Sequence, residues 1–146
     1  MGSLIDAVKD EHKRPLILQD CTKMIEGEVA DKRGMTGMLV KGAFKTIKKF
    51  KPTIIPSALD DLIDEFAVKV DPFWQECQQA SEAPETFFVR RKGDIANALL
   101  QITDAKSERS PNKILVKAYS SLRGKAVEHI GAAMPRFARI VARHAS

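Results

Sequence analysis

Gly34 to Pro56 reads GMTGMLVKGAFKTIKKFKPTIIP, and the spacing of its apolar residues decides between helix and strand. Wound at about 3.6 residues per turn from Thr36 to Phe50, it puts Leu39, Val40, Ala43, Phe44, Ile47 and Phe50 within one arc of roughly 140 degrees. Lys41, Lys45, Lys48 and Lys49 share the opposite arc. Recurrence by three and four, and not by two, predicts an amphipathic helix. Thr36 is placed to cap it, and Pro52 to end it, because the residue before a proline is pushed out of helical geometry. Ile54 and Ile55, between two prolines, are expected to plug the end of a bundle, with an exposed apolar tip as the alternative. Leu39 to Phe50 is then the expected hub for the second and fourth helices.

The same signals extend in both directions. Ser3 with Asp6 is a capping box before a short first helix, and Pro15 suits the opening of a second with Ile17, Cys21, Met24, Ile25 and Val29 inward. Gly27 in that helix is a weak point or a close contact. Downstream, Ser57 with Asp60 repeats the capping box, and Leu59, Leu62, Ile63, Phe66 and Val70 form a stripe opposite Asp60, Asp61, Asp64 and Glu65. Asp71 and Pro72 read as the cap and first residue of a new helix carrying Phe73, Trp74 and Cys77. Residues 81–85 read as a mobile linker. Beyond it come Phe87, Phe88 and Val89, then a helix with Ile95, Ala96, Leu99, Leu100 and Ile102 inward. Ser110 and Pro111 are expected to start the next, with Ile114, Leu115, Ala118, Tyr119 and Leu122 as its stripe. Pro135 must kink or restart the last helix.

Strand alternation finds little to match anywhere, so the expected class is all-α: a compact bundle of about seven or eight short helices in a single domain, 1–146. With 44% hydrophobic residues, the chain closes a core without metal or disulfide. A shift of about 75 residues sets Val40 on Leu115, Phe44 on Tyr119 and Leu62 on Phe137. That shift suggests two similar three-helix halves, 20–66 and 95–141, against the alternative that any two amphipathic helices can be slid into agreement.

Charge is blocked along the chain. Basic against acidic residues number four to six over 1–30, seven to one over 31–56, one to eight over 57–87 and twelve to four over 88–146. The net +5 therefore does not form one uninterrupted stretch of the kind a nucleic-acid binder uses. No apolar run reaches the length of a membrane span, the first thirty residues carry charge throughout, and Asp6 stands where a myristoylation signal needs serine or threonine. The expected location is cytoplasmic.

EVADK at 28–32, KKFKP at 48–52, PSALDDL at 56–62, DPFW at 71–74, LRG at 122–124 and the closing PRFARIVARH together resemble a family of small bacterial helical proteins of unknown function. The resemblance implies the helical fold and carries no activity or site residue with it.

Chemistry-bearing patterns are sparse. G-x-S-x-G, H-E-x-x-H and P-loop motifs do not occur, so no catalytic residue and no cofactor is expected. Gly34 and Gly37 beside Lys32 and Arg33 offer an anion only the free N–H groups of a helix start. His12, His129 and His144 lack metal-ligand spacing and read as surface residues. Cys21 and Cys77 read as packing residues. Asp60, Asp61, Asp64 and Glu65 read as a solvated face, with a divalent cation or the lysine stripe as alternative partners. Arg90, Arg91 and Lys92 after two phenylalanines resemble a single-strand binder less than a helix end. The expected function is a non-catalytic interaction or scaffold module acting through charged patches, with itself or another protein as partner. The alternative is anion binding, of nucleic acid or anionic lipid, by Lys41, Lys45, Lys48, Lys49 and Lys51.

Overall fold

Described over residues 2–146, the computed structural model holds nine helices and, among those residues, no strand. They are α1 (Leu4–Lys9), α2 (Lys13–Asp31), α3 (Gly34–Phe50), α4 (Ile54–Gln79), α5 (Pro84–Arg90), α6 (Lys92–Arg109), α7 (Lys113–Arg123), α8 (Ala126–Ala132) and α9 (Met134–Ala145). The all-α class is as the periodicity dictates.

Local start and stop chemistry accounts for several boundaries. Ser3 Oγ accepts the Asp6 N–H at 3.3 Å and caps α1. Phe50 is the last residue of α3, two before Pro52, and Pro135 lies in the first turn of α9, so it restarts the helix. Other starts fall elsewhere than expected. Gly34, not Thr36, opens α3, with φ at 70°, a left-handed conformation glycine adopts without strain. Gly37 then passes so close to the Lys32 backbone that a Cβ would meet its carbonyl carbon at 2.7 Å. Asn112 rather than Ser110 caps α7, its Oδ1 accepting the N–H groups of Ile114 and Leu115 at 3.1 and 3.2 Å. Pro15 is the third residue of α2, not its first.

The largest departure is α4. Sequence signals divide 57–79 into two helices, yet Ile54 to Gln79 is one helix of 26 residues with Pro72 inside it. Ser57 is not a cap, because its N–H already bonds the Thr53 carbonyl at 3.1 Å. Asp71 caps a different helix: its Oδ1 accepts the Leu4 N–H of α1 at 2.8 Å. An interior proline costs about 3 kcal/mol. Burial of Val70, Trp74 and Cys77 around it offsets that cost, at about 1.5 to 3 kcal/mol for each large apolar side chain. Trp74 is core, with its Nε1 donating to the Gly2 carbonyl at 3.2 Å. Gln75 and Gln78 donate to the same oxygen at 3.3 and 3.2 Å.

The main core joins α1, α2, α4, α5, α6 and α9 around Phe87, Phe88, Ile95, Val70 and Met134. Phe88 meets Phe87 edge-on and tilts against Phe137, with ring centroids 5.9 and 5.8 Å apart. A second, smaller core holds Ile47, Ile54 and Ile55, with Phe44, Ile25, Leu59, Leu115 and Ala118 packed around them. Ile54 and Ile55 are thus buried, though in the first turn of α4 and not in a link. The hub expected at α3 is corrected: α3 packs on α7 and α2, only lightly on α4, and serves the smaller core. Leu39 and Phe50 are 51% and 53% exposed.

Helices from the two ends of the chain interlock. α1 packs on α4 and α5 on α9, while α4 meets α6, α2 meets α9, and α3 meets α7.

Candidate functional site

The lysines singled out by the sequence all lie on the surface. Lys41, Lys45, Lys48 and Lys49 are exposed along α3, and Lys51 is exposed as its C-cap. Lys48 stands 3.7 Å from Glu26 of α2, and the other three α3 lysines have no ion-pair partner among the described residues. What the sequence reading missed is the apolar material beside them. Met35 and Met38 are 88% and 75% exposed, and Leu39, assigned to the core by its periodicity, turns outward with them. Residues 35, 38 and 39 are spaced i, i+3, i+4 and so form one ridge on α3. A three- and four-residue recurrence marks an apolar ridge without saying whether protein covers it.

The neighbouring helix has the same character. α7 packs on α3 and exposes Lys113, Ile114 and Lys117. Neither α3 nor α7 contains an acidic residue. The surface these helices offer is therefore cationic and apolar together, where the sequence reading expected lysines alone.

Several charged groups elsewhere are occupied by one another. Arg14 inserts between Asp60 and Asp64 of α4 at 3.0 and 2.9 Å, and donates to the Val8 and Asp60 carbonyls at 3.0 Å. The acidic side of α4 thus meets an arginine of α2, not the lysine stripe. Arg90 pairs with Glu82 at 2.9 Å, and Arg91 with Glu76 at 2.7 Å and Asp94 at 3.0 Å, both guanidinium groups lying over the Phe87 ring. Phe87 and Phe88 are fully buried and present no stacking surface. No group of three or more His, Cys, Asp or Glu side chains gathers at metal-binding distance among the described residues.

His144 corrects its surface assignment. It is 7% exposed, and its Nε2 lies 2.7 Å from Asp20 Oδ2, 124 residues away. Arg143 reaches the same carboxylate at 3.2 Å, and Lys13 Nζ donates to the His144 carbonyl at 3.0 Å. Burial pushes the Asp20 carboxyl up, but His144 and Arg143 together hold it below its ordinary value. An apolar cleft of about 60 Å³ runs between α1, α2, α4 and α9, lined by Leu4, Ile17, Phe66, Phe137 and Ile140 with Cys21 and His144. Burial, aided by Asp20, pushes the Cys21 thiol up to about 12, so it is protonated at neutral pH and packs as a small apolar residue. Cys77 is buried, and its thiol donates to the Glu82 carbonyl at 3.3 Å.

A polar cluster joins α6 to α7. Arg123 grips Asp104 through Nε and Nη2 at 2.8 and 3.1 Å, and Tyr119 donates its hydroxyl to the same carboxylate. Thr103 lies 2.6 Å from that hydroxyl. Arg123 and Tyr119 lower the Asp104 carboxyl, while burial and Asp104 raise Tyr119 to about 12. No buried polar side-chain atom here lacks a partner, so the cluster is suited to holding two helices together. An open groove of about 590 Å³ lies between the end of α6 and α7, lined by Ser107, Glu108, Ser110, Lys113, Lys117 and Ser120.

No protein of curated function and no solved structure matches this chain. A family model, described as a family of unknown function (DUF6918), matches residues 4–145, nearly the whole chain including both cores and the α3–α7 surface, and the protein belongs to that family.

Proposed function

We propose that this protein is a cytoplasmic, non-catalytic interaction module whose working surface is made by α3 and α7. One observation carries the reading: two mutually packed helices without an acidic residue expose lysines together with Met35, Met38 and Leu39 on α3 and Ile114 on α7. Large apolar side chains left in water on one ridge favour being covered, at about 25 cal/mol per Å² removed from solvent. The surrounding lysines select for a negative partner and speed its approach. Self-association through opposite patches draws less support, since Arg14 already engages Asp60 and Asp64, two of the six acidic residues of α4.

The test is the double change Lys45→Glu with Lys49→Glu, set beside Lys69→Glu on α4. Lys45 and Lys49 are exposed and unpaired, so the melting temperature is expected to stay within a few degrees of the parent. Chemical crosslinking of the full chain in its own cell extract is expected to lose its products in the α3 variant and keep them in the α4 variant. Identical products from all three proteins would remove α3 as the working surface.

A further inference from the structure

Within the reading of α3 and α7 as the working surface, we infer that the occupant of this surface is an anionic lipid bilayer, into whose headgroup layer Met35, Met38 and Leu39 insert. The ridge they form stands out from a helix whose opposite side lies on the smaller core, Met35 and Met38 being 88% and 75% exposed. A protein partner takes apolar anchors from a surface like this only by supplying a recess of its own shape, whereas a bilayer accepts any convex apolar ridge. Methionine and leucine are flexible enough to settle among acyl chains, and the lysine stems can lie along the interface with their ammonium groups among the headgroups.

The charge pattern fits the same occupant. Lys41, Lys45 and Lys49 are unpaired on α3, Lys113 and Lys117 are exposed on α7, and neither helix contains a carboxylate; those recorded beside them are Glu26, 3.7 Å from Lys48, and Glu108, which lines the groove with Lys113 and Lys117. A basic patch attracts the protein to the anionic leaflet, and shallow apolar insertion holds it there; one without the other gives only marginal binding. A nucleic acid would use the lysines but gain nothing from Met35 and Met38, which offer no ring for a base to stack on.

Flotation of the full chain with vesicles separates these cases. Phosphatidylcholine vesicles with about a third phosphatidylserine are expected to carry the protein upward at low salt, and pure phosphatidylcholine vesicles are not. Met35→Ser with Met38→Ser, and separately Lys45→Glu with Lys49→Glu, are each expected to weaken the anionic-vesicle binding by about tenfold or more, with unchanged melting temperature. Absence of flotation, or flotation that both double variants retain, overturns the lipid assignment. So does retention of a labelled oligonucleotide that the glutamate variant loses and the serine variant keeps. If flotation fails while the same variants lose crosslinks to a protein, the lipid occupant falls and the α3–α7 surface stands. If the variants match the parent in every arm, both fall.

Discussion

Asp20 receives Arg143 at 3.2 Å and His144 at 2.7 Å, both from the last turn of α9, and so fastens the end of the chain to α2. Its carboxyl is held below the ordinary value of 3.8. A folded-state value below the unfolded one contributes stability that is complete above the unfolded value and is lost as pH falls through the folded one. Asp31 and Asp104, lowered by Arg136 and Arg123, act in the same direction. Stability measured by urea unfolding is therefore expected to decline as pH drops below about 4, with a shallower slope in Asp20→Asn than in the parent. Equal slopes would show that Asp20 contributes nothing to it. Asp71 makes the same point about reach: a residue that reads as a local cap gives its oxygen to Leu4, 67 positions away, because that N–H has no partner in its own helix.

Among the helices, length is a poor guide to weight. α5 has seven residues, yet Phe87 and Phe88 are wholly enclosed between α4, α6 and α9, and Arg90 and Arg91 cover the Phe87 ring from outside at 5.1 and 5.8 Å. α3 has seventeen residues, of which only Gly37, Val40 and Ile47 are buried. Phe88→Ala is accordingly expected to cost about 3 to 5 kcal/mol in chemical denaturation, the range for an enclosed aromatic. Phe50→Ala, at an exposed helix end, is expected to stay within about 0.5 kcal/mol of the parent. Comparable losses from the two would contradict the division into a main core and a lesser one. Gly27 in α2 also finds its reason at this scale: a Cβ there would lie 3.2 Å from the Arg136 guanidinium, which reaches across from α9 to pair with Glu28 and Asp31.

Across the whole molecule, the core is assembled from both ends of the chain. Leu4, Val8 and Ile17 share a cluster with Met134, Val141 and Ala145, and α4 packs between α1 and α6. Cutting within the 80–83 turn, where Ser81 takes a left-handed φ of 52°, leaves each piece with an apolar face that the other normally covers. Separate peptides 1–82 and 83–146 are expected to show weak, non-cooperative helicity by circular dichroism, and their mixture to regain a cooperative melt. Independent cooperative melting of either peptide would show that its own half closes a sufficient core. Contacts between distant helices also explain why the ion pairs matter more as fasteners than as energy, since exposed pairs contribute about 0 to 1 kcal/mol each.

Period and punctuation in the amino-acid sequence were enough to determine the helical class, the inward residues of α6, the end of α3 before Pro52, an interruption at Pro135 and the surface position of the five lysines. These follow from backbone geometry and from the side chains of near neighbours, which a linear pattern records. Tertiary structure alone decided that α4 runs unbroken through Pro72, that His144 is buried against Asp20, and that Leu39 joins Met35 and Met38 in solvent. Each depends on a partner many residues away, or on the lack of one. A periodic stripe states which side of a helix is apolar, and only the packing of the other helices states whether that side is covered.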